Sequence, residues 1–377
     1  MYSEKARAQY AYMEELVRTY SLLQDERSKR IFWARLQFEA EPNIDSAIGL
    51  YEAGKYDKES LVGEKSGEWR KVFNAASARG KKIVLYGASG YGMYLAEMLS
   101  RSNVDVYAFC DRKKAGESFS EKPVLSPEEL ISNPCQYAVV ITTATGYQEI
   151  TQFLKKNGFP MDSVLLSLGI GNECQERINH YCAFPELFKH GTAIVDAGCF
   201  DGSDTIAFSK WSNGAYSKIY AFEPDTENFH RCKANIEFAN IPRVRLFEAG
   251  LGKLSGKYAF TDSHSVGSHF IQTTEIKHIA FQIDTGNSLA QVYPLDDLAE
   301  DEIGFIKMDI EGAEFDALQG AKYTIQRDRP HLAICVYHRQ GDMLAIMDYL
   351  HSLVPEYRFW LRHYGPLDSD TILYAAV

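Results

Sequence analysis

Two carboxylates and an imidazole stand directly after two apolar runs and are the candidates for catalysis. Asp309 and Glu311 follow the run IGFIKM, and His338 follows AICVY. A base beside a weak nucleophile can remove its proton, an effect of typically ~10²–10⁴-fold. We predict His338 as that base, Asp309 as a residue that orients a ligand, and Glu311 in support. His338 could instead be a structural histidine, and Asp309 and Glu311 could stabilise the start of a helix. The three residues could also bind a divalent metal, but we do not predict a metal site.

The stretch IVDAGCFDG, residues 194–202, is typical of a strand that ends in a ligand-binding loop. Gly198 and Gly202 allow the backbone to turn and to approach a ligand, which a side chain would block. Phe200 occupies the position where a dinucleotide-binding loop has its middle glycine. The loop therefore favours a mononucleoside over NAD.

Carboxylates at the ends of the next two predicted strands extend this site. Glu223 follows the run KIYAF, and an acidic residue there can accept hydrogen bonds from a ribose diol. Glu248 follows VRLF and can accept a hydrogen bond from an adenine amino group. Lys307, within the strand that precedes Asp309, is expected to pair with a neighbouring acid inside the sheet.

A second glycine-rich loop, GASGYG, follows the run KKIVLY and opens a predicted helix. Gly87, Gly90 and Gly92, together with Asp111 at the end of the next strand, have the parts of a dinucleotide fingerprint, but the glycine spacing differs from G-x-G-x-x-G. A structural or assembly role is favoured for this loop. The alternative is a nucleotide-binding site, for which a sugar nucleotide is favoured over NAD.

Alternating strands and helices must position both loops. Residues 67–170 and 171–377 each predict a parallel α/β domain, because helices separate successive strands. The last two apolar runs, YRFWLRHYG and DTILYAAV, are joined by a short link and therefore form an antiparallel hairpin. Residues 1–66 predict a helical extension that packs or self-associates. The predicted fold is thus two Rossmann-like domains, the second with a terminal antiparallel hairpin, preceded by helices.

Composition limits the class of protein. The formal charge of -11 argues against a nucleic-acid partner, because phosphate binding uses clustered Lys and Arg. The Cys residues are scattered and form no C-x-x-C pair, which favours a reducing compartment. The first residues are charged and no apolar run is long enough for a membrane span. We therefore expect a cytoplasmic protein without a membrane span.

Residues from about 185 to the end resemble the FkbM family of methyltransferases. They carry VDAGCFDGSDT, AFEP, PLDDL, IKMDIEGAEFDALQGA and AICVYH in the order of that family, followed by LRHYG and TILYA. The resemblance implies a class I methyltransferase fold, S-adenosylmethionine as methyl donor and a hydroxyl acceptor, often on a sugar or natural product. The implied cofactor contacts are Asp196, Gly198, Phe200, Gly202, Thr205, Glu223, Glu248 and Asp309. Phe200 departs from the Asn that many members have.

The sequence as a whole predicts an S-adenosylmethionine-dependent O-methyltransferase that acts on a saccharide, a sugar nucleotide or a related natural product. An oxidoreductase or epimerase that uses the loop from Gly87 to Gly92 is one alternative, but no residue near that loop is typical of hydride transfer. A non-catalytic assembly protein that only binds S-adenosylmethionine is the other. Residues 86–130 also resemble the Rossmann-like domains that precede some sugar-modifying enzymes.

Overall fold

The computed structural model describes residues 4–55, 80–143, 146–166, 180–261, 269–270, 288–365 and 367–377. The chain divides into two compact units. Unit 1 comprises Met1–Lys29, Ile178–Arg362 and Asp370–Val377, and unit 2 comprises Arg30–Arg177 and His363–Ser369. The boundaries predicted after residues 66 and 170 lie outside the described residues, so the three predicted segments stay a prediction.

Three helices open the chain, as the spacing of its apolar residues predicts. They are α1 (Glu4–Leu22), α2 (Glu26–Ala40) and α3 (Ile44–Lys55). α1 contains neither glycine nor proline, which favours an uninterrupted helix. Its Leu16 is buried, whereas Tyr12, Met13 and Val17 are exposed. Self-association through these helices stays a prediction. Among the described helices, none combines the length and the hydropathy needed to cross a bilayer.

Unit 2 contains one six-stranded sheet. Its strands are β1 (Lys82–Tyr86), β2 (Val106–Cys110), β3 (Ser118–Phe119), β4 (Lys122–Leu125), β5 (Tyr137–Ile141) and β6 (Val164–Leu166). The helices that connect them are α4 (Gly90–Arg101), α5 (Pro127–Ser132) and α6 (Tyr147–Lys156). The order is β3-β4-β2-β1-β5-β6, and β1 pairs in parallel with both β2 and β5. The predicted parallel α/β architecture is therefore present.

Local sequence accounts for these elements. β5, YAVVI, is buried along its whole length, which explains an apolar run without alternation. Helix α5 begins with a capping box, in which Ser126 and Glu129 each satisfy a free backbone N–H of the other, and Pro127 occupies the first helical position. The core of the unit joins side chains of the central strands to Leu154 of α6.

Unit 1 contains the larger sheet and most of the remaining helices. The larger sheet has seven strands, which are β7 (Ala193–Ala197), β8 (Ile219–Phe222), β9 (Val244–Phe247), β14 (Ile303–Met308), β15 (His331–Cys335), β16 (Arg358–His363) and β17 (Thr371–Ala376). A smaller sheet lies between β9 and β14 in the chain. The small sheet has the strands β10 (Gly250–Leu251), β11 (Gly256–Thr261), β12 (His269–Phe270) and β13 (Ser288–Tyr293). The helices are α7 (Ser203–Trp211), α8 (Thr226–Phe238), α9 (Glu314–Gln319), α10 (Lys322–Asp328) and α11 (Asp342–Leu353).

The strand order of the large sheet is β16-β17-β15-β14-β7-β8-β9. β7 pairs in parallel with β8 and β14, β9 with β8, and β14 with β15, whereas β17 runs antiparallel to β15. This order and the reversed C-terminal strand confirm the predicted class I methyltransferase fold. β8 and β9 lie on one side of β7, whereas β14 and β15 lie on the other, so the order of strands reverses between β7 and β14. Open α/β sheets bind ligands beside the carboxyl ends of the strands at this reversal.

Candidate functional site

The loop after β7 lies against the first residue after β14. Gly198 has a φ of 77°, in the left-handed region, and a Cβ there would overlap the carbonyl of Asp309. The Asp309 N–H donates to the carbonyl of Ala197 at 3.1 Å, so the parallel pairing continues past both strands. Only glycine permits this approach. The two strand ends predicted from sequence to carry the cofactor loop and the catalytic acid are therefore in contact.

The same loop turns sharply before helix α7. Phe200 has a φ of 48°, which costs a non-glycine residue roughly 1–2 kcal/mol, and its N–H donates to Oε2 of Glu223 at 2.9 Å. Gly202 has a φ of 83° and donates to the carbonyl of Cys199 at 2.7 Å. The Phe200 side chain is half-buried, with the Arg231 guanidinium 5.6 Å from its ring centre. The strained turn thus depends on a carboxylate from the neighbouring strand.

Glu223 is a buried carboxylate at the end of β8. Besides Phe200, it accepts a hydrogen bond from the Asp225 N–H at 3.0 Å, one on each carboxylate oxygen. Burial raises the pKa of Glu223 to about 7, although both backbone hydrogen bonds act in the opposite direction. Each oxygen keeps a lone pair for a further donor. Glu248, after β9, is exposed and accepts a hydrogen bond from the Thr226 hydroxyl at 2.8 Å.

A charged network lies beneath the loop. Asp196 is wholly buried and accepts hydrogen bonds from the Thr205 hydroxyl at 2.6 Å and from Lys307 Nζ at 3.1 Å. Lys307 also donates to the carbonyl of Gly198 at 2.6 Å. Burial disfavours the ammonium, but the surrounding carboxylates, first that of Asp196, raise the pKa of Lys307 above its usual range. The predicted pairing of Lys307 is confirmed. Asp196 and Thr205 contact each other, and their contact with a cofactor stays a prediction.

Asp309 is held by two tyrosine hydroxyls. Tyr181 donates to Oδ2 at 2.7 Å, and Tyr337 donates to Oδ1 at 3.3 Å. Burial favours the neutral acid, yet the positive charges of Lys307 and His338 keep the pKa of Asp309 below its usual value. Asp309 is therefore a fixed carboxylate. Sequence reasoning missed Tyr181, since it precedes β7 in a stretch without a periodic pattern.

His338 is surrounded by three carboxylates. Nδ1 lies 2.9 Å from Oε1 of Glu314, and Nε2 lies 3.4 Å from Oδ1 of Asp309 and 3.5 Å from Oε2 of Glu311. Burial disfavours a charged imidazole, but the carboxylates, first that of Glu314, raise the pKa of His338 to about 9. Burial raises the pKa of Glu311 to about 7. In this state His338 carries a proton at neutral pH. Its predicted role as base stays untested.

Glu314 is the second residue that sequence reasoning missed. It is wholly buried at the start of α9, and its Oε1 accepts a hydrogen bond from the Ile310 N–H at 2.9 Å. In sequence it resembles any acid that stabilises a helix start. The one sequence feature that could have indicated its contact with His338 is the close spacing of Asp309, Glu311 and Glu314. A tight turn places all three carboxylates around that histidine.

The second glycine loop, in unit 2, contacts threonine side chains and the carboxylate of Asp111. A Cβ at Gly87 would come within 2.7 Å of the Thr142 side chain, and one at Gly92 would overlap the carbonyl of Gly87, whereas Gly90 has open space around it. The carboxylate of Asp111 accepts hydrogen bonds from three backbone N–H groups at 2.8–3.3 Å. These contacts account for the glycines and for Asp111 structurally. A nucleotide at this loop stays a prediction.

Comparison with known proteins gives the family of this chain. Residues 196–365 match the methyltransferase FkbM domain. The chain is 30% identical over 207 residues to the 2-O-methyltransferase NoeI of Sinorhizobium fredii, a match that covers 50% of this chain and 81% of NoeI.

Two solved structures are similar to this chain. A methyltransferase FkbM from Methylobacillus flagellatus has 21% identity and a TM-score of 0.48, over 82% of this chain and 93% of that one. A putative methyltransferase from Streptococcus mutans in complex with SAH has 16% identity and a TM-score of 0.33, over 52% and 94%. The match to NoeI and the FkbM domain establish the family independently of these structures. The chain belongs to the FkbM family and is a methyltransferase.

Proposed function

We propose that this methyltransferase uses S-adenosylmethionine and methylates a hydroxyl of a saccharide, a sugar nucleotide or a related natural product. The observation that carries the proposal is the joint position of the Gly198 loop, Glu223 and Asp309 at adjoining strand ends, beside the point where the sheet order reverses. The name of NoeI, a 2-O-methyltransferase, supports an oxygen acceptor.

The residues at this edge suit the parts of the cofactor. Glu223 has free lone pairs for the two ribose hydroxyls, and exposed Glu248 can accept from the adenine amino group. Gly198 allows the loop to lie directly against the Asp309 carbonyl, so that the loop and this acid share one edge of the sheet. Asp309 offers a fixed negative charge to the amino group. When bound, S-adenosylmethionine supplies a methyl group on a positively charged sulfur that an oxygen nucleophile can attack.

The carboxylates after β14 suit the acceptor. A sugar hydroxyl is a weak nucleophile at neutral pH and gains from a base in hydrogen-bond reach. Glu311 is the most exposed of the three carboxylates around His338, at 32% against 25% for Asp309 and 0% for Glu314, while His338 is 8% exposed. We therefore assign proton removal to Glu311 and give His338 the task of holding the carboxylates in place.

The test is transfer of an isotope-labelled methyl group from S-adenosylmethionine to a panel of saccharides, sugar nucleotides, phenols and amines. We expect label on a saccharide hydroxyl, and a rate reduced about 100-fold by Glu311→Gln, because that change removes the base. Glu237→Gln, an exposed glutamate on α8, is the matched control and should leave the rate unchanged. Label found on amines alone, or an unaffected Glu311→Gln variant, would contradict the proposal.

A further inference from the structure

Glu311 and Glu314 share the imidazole of His338 as a positive partner, whereas Asp309 also has the charge of Lys307 nearby. Three carboxylates approach the His338 ring, and two of the four side chains, Glu314 and His338, are at least nine-tenths buried. In the part of the chain that the structure describes, no basic side chain other than His338 pairs with Glu311 or Glu314. Buried carboxylates require a compensating positive charge.

Several polar atoms in this cluster also lack partners. Within the described residues, Oε2 of Glu314 makes no hydrogen bond, and neither ring nitrogen of His338 makes one of acceptable geometry. The short distance from Nδ1 to Glu314 Oε1 is an ion-pair contact whose direction departs from that of a hydrogen bond. Buried polar groups without partners are uncommon and call for an explanation, of which a bound ion is one.

We propose that Asp309, Glu314 and His338 bind a divalent cation. Each side chain offers one ligand atom, and the three atoms lie within 4.8 Å of one another. Two ligands that each lie about 2.1–2.4 Å from one ion can be at most about 4.2–4.8 Å apart, so the separations of these atoms are within the limit for a shared ion. One imidazole nitrogen and two carboxylates suit Mn²⁺ or a similar first-row ion. Two carboxylates neutralise its charge.

The cation gives the acceptor a second point of attachment, and this part of the inference rests on the proposed function. Asp309 is partly exposed, so a bound ion retains open positions toward the ligand side. A saccharide hydroxyl that coordinates the ion becomes more acidic, as bound water does. Its O–H bond then breaks and the proton moves to the Glu311 carboxylate, while the oxygen keeps the electron pair. Two neighbouring hydroxyls of one sugar could occupy two such positions, which favours a vicinal diol as acceptor.

Titration with Mn²⁺, followed by electron paramagnetic resonance of the free ion, tests the site without cofactor or acceptor. We expect one ion per chain, with binding weakened about tenfold to a hundredfold by Glu314→Gln and by His338→Gln. A glutamine at position 314 can still accept the hydrogen bond from Ile310, so that variant should fold. Glu237→Gln should bind as the wild type does. No binding at millimolar Mn²⁺, or equal binding by all four proteins, would overturn the inference.

Binding of S-adenosylhomocysteine to the same samples separates the two proposals. A protein that binds Mn²⁺ at this cluster but not S-adenosylhomocysteine contradicts the proposed function and supports the metal site. A protein that binds S-adenosylhomocysteine but not Mn²⁺ contradicts the metal site alone. If either variant fails to fold by circular dichroism, the other variant supplies the same comparison, and Asp309→Asn is the third.

Discussion

Gly198 in unit 1 and Gly87 in unit 2 each follow the first strand of a parallel sheet, and each loop leads directly into a helix. Both glycines have positive φ values, and a Cβ on either would collide with the neighbouring strand's continuation. The surroundings differ. The Gly198 loop rests on buried Lys307 and Glu223, whereas the Gly87 loop packs on Thr142 and is contacted by Asp111 and Lys114, which are only partly buried. The backbone shape therefore follows from the fold, and the two loops differ in how deeply the charges around them are buried.

The largest expected effect of this difference is on stability. Lys307→Met leaves Asp196 buried without its counter-ion and should lower the free energy of unfolding by about 3–5 kcal/mol. Lys114, which donates to the Ala88 carbonyl beside the other loop, is the matched control. Lys114→Met should cost about 1 kcal/mol, since it removes one hydrogen bond of a partly exposed lysine. Urea unfolding of both variants measures the two costs, and equal values would show that charge beneath the first loop has no special structural role.

The next effect is on cofactor affinity. Gly198→Ala forces the loop away from the Asp309 carbonyl and should weaken S-adenosylhomocysteine binding about 100-fold, a loss of about 2.7 kcal/mol. Gly87→Ala meets similar crowding from Thr142 but should leave that affinity within about twofold, because its loop is not the proposed site. Calorimetric titration of both variants gives the comparison. A loss of affinity confined to Gly87→Ala would show that the cofactor binds at the Gly87 loop and not at the Gly198 loop.

The pH dependence of binding should follow Glu223. Its pKa of about 7 means that the side chain is mostly neutral at pH 6 and mostly a carboxylate at pH 8. The carboxylate is the better acceptor for ribose hydroxyls, so affinity for S-adenosylhomocysteine should fall about tenfold from pH 8 to pH 6. In Glu223→Gln this dependence should largely disappear. Affinity that rises toward pH 6 would exclude a carboxylate contact with the ribose.

The smallest expected effect concerns Asp111. Asp111→Asn keeps one oxygen acceptor for the backbone N–H groups at the second loop and should cost about 1 kcal/mol of stability. S-adenosylhomocysteine affinity should not change measurably. Saturation-transfer NMR with UDP-sugars and NAD on wild type and variant sharpens the comparison further. A signal that Asp111→Asn abolishes would give the second loop a ligand and would revise its structural interpretation.

The fold was predictable because each central strand is buried on both faces and appears as an unbroken apolar run. IVDA, IYAF, IGFIKM and HLAIC all form strands of the large sheet. Parallel strands end at one edge, so the residues that follow these runs could be assigned to one site before the structure was known. Asp309, Glu311 and His338 do meet there.

What sequence reasoning missed depends on side-chain direction and on contacts between distant segments. Glu314 reaches His338 after a tight turn in which Glu311 has a φ of 55° and Gly312 a φ of 92°. Tyr181 contacts Asp309 across 128 positions of the chain, and its own neighbours give no pattern that predicts this. The electrostatic balance around His338 likewise requires distances. The sequence alone suggested that His338 acts as a base, whereas the three carboxylates around its ring favour a positive charge there.

Calorimetric titration of S-adenosylhomocysteine into wild type, Glu223→Gln and the control Glu237→Gln tests whether the cofactor binds at the loop between Gly198 and Gly202. We predict one site per chain, an affinity reduced at least tenfold by Glu223→Gln, and an unchanged affinity for the control. No binding by the folded wild type, or equal affinity in all three proteins, would contradict the assignment of the cofactor to the loop between Gly198 and Gly202.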